Sequence, residues 1–200
     1  MTFPKFSIKI QLILSLIFIP LNFAASYLCS HILQLPLFMD MIFIFAASFF
    51  GIFCGLFTSA GYYFLWTLAM HYSFIHMLYV ICCITGTLLV WLFVTRRKTY
   101  EEYSALWIRL ALMFFISTVL ISLEGSFIYS NFILGRTSPP EITTVMFLTY
   151  TLVMQNLGVQ LSAFLARLPV NLLDKAIAVF GGFGIYSILR KLIDKRSGNN

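Results

Sequence analysis

Four ionisable side chains stand in or against apolar sequence: Asp40, Glu124, Asp174 and Lys175. Asp40 closes the run Leu35-Pro36-Leu37-Phe38-Met39-Asp40, just before an apolar stretch stepped by Gly51-x-x-x-Gly55. Asp174-Lys175 stands at the head of the last apolar stretch, and Glu124 lies deep inside another. Charge in such surroundings is costly and is retained where it caps, pairs or binds. A carboxylate at a helix start is stabilised by unpaired N–H groups and by the macrodipole. That is one account of Asp40 and of Asp174. The other is a polar pocket for a small ligand. Glu124 has no helix start beside it, so it points to the pocket or to an ion pair, with Arg136 further along the same stretch as a candidate partner. Tyr129 and Asn131 follow Glu124 closely, and Phe127 with Tyr129 offers a stacking wall.

Bond-making chemistry finds no foothold. The chain has no Gly-x-Ser-x-Gly, no His-Glu-x-x-His, no P-loop and no Cys-x-x-Cys. The paired Glu101-Glu102 lies in a basic, polar break and lacks a matching Arg or His motif. Cys29, Cys54, Cys82 and Cys83 all fall in apolar segments and read as small packing residues. His71 and His76 are five residues apart, which does not align them on one helix face for a metal. The expectation is a non-enzyme with no catalytic residue, no metal and no cofactor.

The elements that must hold these residues are membrane helices. The chain of 200 residues is 60% hydrophobic and 10% charged, with a mean hydropathy of +0.94. Soluble domains are about 25% charged, so the solvent here is lipid, and the 22 Phe suit that solvent. The net charge is +6. The basic residues flank apolar runs instead of forming a face, which argues against a nucleic-acid partner. Residues 1–200 read as a single membrane-embedded domain, with no polar stretch long enough for an ATPase or kinase domain. Lys5 and Lys9 precede the first apolar run as in a signal peptide. The run continues to about Leu35 without a good cleavage site, so it reads as a retained span.

A span needs about 20 apolar residues. The candidates are roughly Ile8–Leu33, Pro36–Phe53, Cys54–Met70, Phe74–Val94, Ala105–Phe132 and Val170–Leu189. Gly51 and Gly55 mark a tight turn between the second and third. The stretch 142–165 is the most polar and is demoted to a helix on, or dipping into, the outer side. The expected fold is therefore an all-α bundle of six transmembrane helices with one additional polar helix. Basic clusters at Lys5 and Lys9, at Arg96-Arg97-Lys98 and at Arg190 to Arg196 then fall on one side. The positive-inside rule makes that side, and both termini, cytoplasmic. Asp40, Asp174 and Lys175 fall toward the outer side, with Glu124 deeper in its segment.

Ile19-Pro20, Asn22-Phe23, Leu35-Pro36-Leu37-Phe38-Met39-Asp40, Gly51-x-x-x-Gly55 and Leu173-Asp174-Lys175-Ala176, in this order, resemble the S components of energy-coupling factor (ECF) transporters. The similarity is to the riboflavin-type branch and spans most of the chain. Met41-Ile42-Phe43 departs from the Thr-Ile-Gly-like continuation of that family, and Ser59-Ala60-Gly61 from its usual Asn. The resemblance implies a six-helix protein of the bacterial inner membrane that captures a vitamin or vitamin precursor from outside. It implies a T-type transmembrane subunit and two ATPase subunits as partners. It adds Asn22 to the substrate-binding set of Asp40, Glu124, Tyr129, Asn131, Asp174 and Lys175. Ser15, Gly51 and Gly55 offer small-residue contact to the T-type subunit, or else close packing inside the chain. The alternative function is a stand-alone membrane sensory or assembly module without transport.

Overall fold

Small polar side chains punctuate the apolar helices, and several are absorbed locally. Ser48 donates to the Ile44 carbonyl, Thr58 to Cys54, Ser59 to Gly55 and Ser122 to Thr118. A hydroxyl satisfied on its own helix can be buried without a partner elsewhere. Elsewhere on the helices large apolar side chains stand exposed, such as Leu16 at 70% and Met154 at 86%. Lipid is the medium in which such a surface is stable.

The computed structural model describes residues 6–96, 103–134 and 144–197. Lys5, Arg97, Lys98, Glu101, Glu102, the turn 135–140 with Arg136, and Glu141 lie outside the described residues. Among the described residues the chain forms helices and no strand. α1 (Ile8–Tyr27) starts at Ser7, whose hydroxyl accepts the Ile10 N–H at 3.4 Å, and a wide π-type turn extends it to Ile32. The chain then re-enters the bundle as a non-helical segment. α2 (Ile42–Phe50) has only 9 residues, so it rises about 14 Å, under half of the roughly 30 Å hydrocarbon core. The segment before it makes up the depth. α3 (Ile52–Ala69) turns back at once.

That reversal depends on Gly51. A Cβ there would run into the Gln11 side chain. Gln11 fills the turn: its Nε2 donates to the Phe6 carbonyl at 2.9 Å, and its Oε1 accepts the Cys54 N–H at 3.2 Å. The first turn of α3 is thus capped from α1. α4 (Val80–Val90) follows a 3-10 turn over Phe74–Tyr79 and continues through Thr95. α5 (Tyr103–Ile128) continues through Ile133. α6 (Thr144–Met154), α7 (Val159–Ala176) and α8 (Gly182–Ser197) complete the chain, and the π-type turn Ile177–Gly181 joins the last two. Among the described residues five helices are long and apolar enough to cross a membrane: Ile8–Ile32, Ile52–Ala69, Phe74–Thr95, Ser104–Ile133 and Val159–Ile193. The fold is an all-α, multi-pass membrane bundle.

The last third departs from the sequence expectation. The stretch 142–165 is not one helix, and the final span does not begin at Val170. α6 ends at Met154, the chain turns over 155–158, and α7 starts at Val159 and runs through Pro169. Asn156 takes the left-handed conformation, φ 65°, which Asn tolerates better than most residues. Burial explains the continuity. Ser162 and Ala163, Ala166 and Arg167, Val170 and Asn171, Asp174 and Lys175 are all buried. These pairs recur every four residues, one helical stripe on both sides of Pro169. Pro169 sits on the exposed face, where its missing N–H costs one backbone bond and no packing. α6 lies against the first half of α7 through Val145, Ala166 and Val170.

Asp174 and Lys175 are therefore in the interior of a long helix, not at its head. Rings of Phe6, Phe50 and Tyr186 meet at the end of the bundle opposite α6. The start of α1, the α2–α3 turn and α8 share that end.

Candidate ligand-binding site

Asp40 does not cap α2. Asn22, fully buried in α1, does that work: its Oδ1 accepts the Phe43 N–H at 3.0 Å, and its Nδ2 donates to the Asp40 carbonyl at 2.6 Å. The Asp40 carboxylate is left for other partners. Its Oδ2 accepts the Tyr63 hydroxyl at 3.0 Å, and its Oδ1 lies 3.5 Å from Lys175 Nζ. Lys175 also reaches Asp174 Oδ2 at 2.7 Å, and Asp174 Oδ1 accepts the Met39 N–H at 2.7 Å. The side chains of Lys175 and Asp174 are 1% and 0% exposed. A buried cation is thus held between two carboxylates, which pins the 39–40 backbone to the last turn of α7, where it runs on into α8. The capping accounts of Asp40 and Asp174 both give way to this ion cluster.

Above the cluster lies a cavity of about 600 Å³. Asp40 and Lys175 are on its wall, with Tyr62, Tyr63 and Trp66 from α3, Tyr79 and Cys82 near the start of α4, and Gly125 and Tyr129 on α5. α6 closes one side with Val145, Met146 and Thr149. A few hundred cubic ångströms lined by rings and a small number of charged groups is the usual form of a small-molecule site.

The structure brings Asp40, Tyr129 and Lys175 together on this wall, with Asp174 directly behind Lys175. Asn22 supports the wall and does not line it. Glu124 faces α4, where its Oε1 accepts the Thr85 hydroxyl at 2.7 Å, and it stands outside the cavity. Asn131 is exposed and bonds its own helix at the Phe127 carbonyl. Phe127 is 49% exposed, so Tyr129 contributes to the wall without it. Ser15, at 2% exposure, and Gly55 are buried in the chain. A Cβ at Gly55 would meet Ser48 and Thr87. With Gly51 against Gln11 and Gly55 against Ser48 and Thr87, the two glycines serve close contact between this chain's own helices, while Ser15 donates to the Leu12 carbonyl of its own helix.

Arg167 and His31 line the cavity and have no role in the sequence-based site, and His76, weighed there only as a metal ligand, lines it as well. The signal for Arg167 was present. It shares the four-residue spacing of Asn171 and Lys175 on the buried stripe of α7. Asn171 donates to the Ser122 hydroxyl at 2.9 Å, fixing α7 to α5 just below Arg167. No protein-family model, no curated protein and no solved structure matches the chain.

Proposed function

We propose that this chain is the substrate-binding S component of an ECF-type importer, capturing a vitamin-like molecule in the outer half of the bundle. The observation that carries the reading is the cavity over the Asp40–Lys175–Asp174 cluster, at the end away from Lys9, Arg190 and Lys191. By the positive-inside rule, those basic ends are cytoplasmic and the cavity faces outward. Six passes follow: α1, the descent through α2, α3, α4, α5 and the continuous α7–α8, with α6 as an outer cover. The resemblance of the ordered motifs supplies the partners, a T-type transmembrane subunit and two ATPases, in a bacterial inner membrane.

The test is affinity purification from native membranes, followed by mass spectrometry of proteins and small molecules in the eluate. A T-type subunit and ATPases are expected with the chain. A bound small molecule is expected in the wild type and not in Gly125→Leu, whose side chain fills the cavity. A retained small molecule with no ATPase partner would replace transport by the stand-alone sensory reading. An eluate with no small molecule would remove ligand capture itself.

A further inference from the structure

Resting on the ligand-capture reading, we propose that Arg167 is the receptor for an anionic group, a carboxylate or a phosphate, on a flat aromatic ligand. The two buried cations of the cavity are treated oppositely. Lys175 has two carboxylates within 4 Å, at 2.7 and 3.5 Å. Arg167 is only 7% exposed, yet among the described residues no carboxylate forms an ion pair with it. Its Nη2 donates to the Tyr79 hydroxyl at 2.9 Å. Its guanidinium lies 5.8 Å from the Tyr79 ring centre and 5.3 Å from that of Tyr129. Its Nε is buried with no hydrogen-bond partner.

Glu124 is the acid closest in sequence to the surface that Arg167 touches, since a Cβ at Gly125 would lie 3.4 Å from Arg167 Nε. It is turned to Thr85 on α4 instead. A buried charge without a counter-charge is strongly unfavourable. Ring contact uses the face of the guanidinium and leaves edge N–H groups, a planar fork that fits carboxylate or phosphate oxygens two at a time. The rings of Tyr62, Trp66, Tyr79 and Tyr129 around the same space suit a flat aromatic body.

The test is equilibrium dialysis of the purified full chain against three probes of one shape: naphthoate, naphthyl phosphate and the neutral naphthamide. In the wild type at least one acid is expected to bind about tenfold or more tighter than the amide. The tighter acid tells carboxylate from phosphate. Arg167→Met is expected to erase the acid preference while keeping amide binding, and Arg167→Lys to keep part of it. Should Arg167→Met fail to fold, the wild-type comparison and Arg167→Lys still decide. Equal binding of acids and amide overturns the anion receptor and leaves ligand capture standing. An acid preference that survives in Arg167→Met also overturns it, moving the anion to Lys175. No binding of any probe by folded protein overturns the receptor for a flat aromatic anion, while ligand capture stands or falls on the small molecule in the eluate.

Discussion

The two ends of the bundle draw on the same apolar residues and are filled in opposite ways. At the end shared by the start of α1, the α2–α3 turn and α8, rings of Phe18, Phe50, Phe49 and Tyr186 lie 4.9 to 6.0 Å apart, each at most 1% exposed. At the other end an equally aromatic set surrounds a cavity of about 600 Å³. Lipid tails are as apolar as Leu, so helices in a membrane associate by packing and polar contacts instead of escape from water. The closed end gathers dispersion. The open end is held by charge and hydrogen bonds that fix its walls: Lys175 between two carboxylates, Tyr63 on Asp40, Arg167 on Tyr79. Space in this fold is kept open by polar bracing, not by a shortage of side chains to fill it.

Removing the brace has the largest expected effect. Lys175→Met leaves Asp40 and Asp174 facing each other without a cation, at a cost of about 3–5 kcal/mol. Thermal unfolding in detergent is expected to show a large drop. A variant as stable as the wild type would mean the open end stands without its ion cluster. Next comes the closed end. Phe49→Ala removes a ring packed on Phe183 and Tyr186. In water such a change costs about 3–5 kcal/mol, part of which is transfer from water that lipid does not supply, so less than about 3 kcal/mol is expected. A loss larger than that of Lys175→Met would reverse the comparison. The smallest effects come from a pair of glycines. A Cβ at Gly182 would lie 3.0 Å from the Ala46 nitrogen and the Ile42 oxygen, both backbone. Gly182→Ala should therefore cost about 1–3 kcal/mol. At Gly125 the first atoms met are in the Arg167 side chain, at 3.4 and 3.5 Å. Gly125→Ala should change stability by less than about 1 kcal/mol, with stabilisation as the favoured sign because helical Gly loses more entropy on folding. Equal losses at both positions would mean the open end is as tight as the closed one.

Sequence alone places the long helices well, because a run such as Ile8–Leu33 reports its own length. It also singles out Asp40 and Lys175, since charge next to apolar sequence needs a partner. It does not give direction. Glu124 and Gly125 are neighbours on α5, and one turns to α4 while the other faces the cavity. Tyr129 and Asn131, two residues apart, end on the wall and on the surface. Arg167 was lost for a different reason. It falls between the stretch 142–165 and the span expected from Val170, and the periodic buried stripe emerges only in a helix continuous through Pro169. Hydrogen bonds across the bundle, such as Asn22 capping α2, have no sequence pattern, because their partners meet only after the helices pack.

The ion cluster also has a timetable. Met39 and Asp174 are 135 residues apart. At about 5–20 residues per second, a ribosome adds that length in roughly 7–27 s. Throughout that interval the nascent chain contains Asp40 without the lysine that neutralises it. The segment ahead of α2 carries an unpaired carboxylate for that time, so its final depth in the bilayer is expected to be reached only once α7 has been made, an order that accessibility labelling of Met39→Cys, which keeps the Asp40 carboxylate, in chains truncated before and after Lys175 would check.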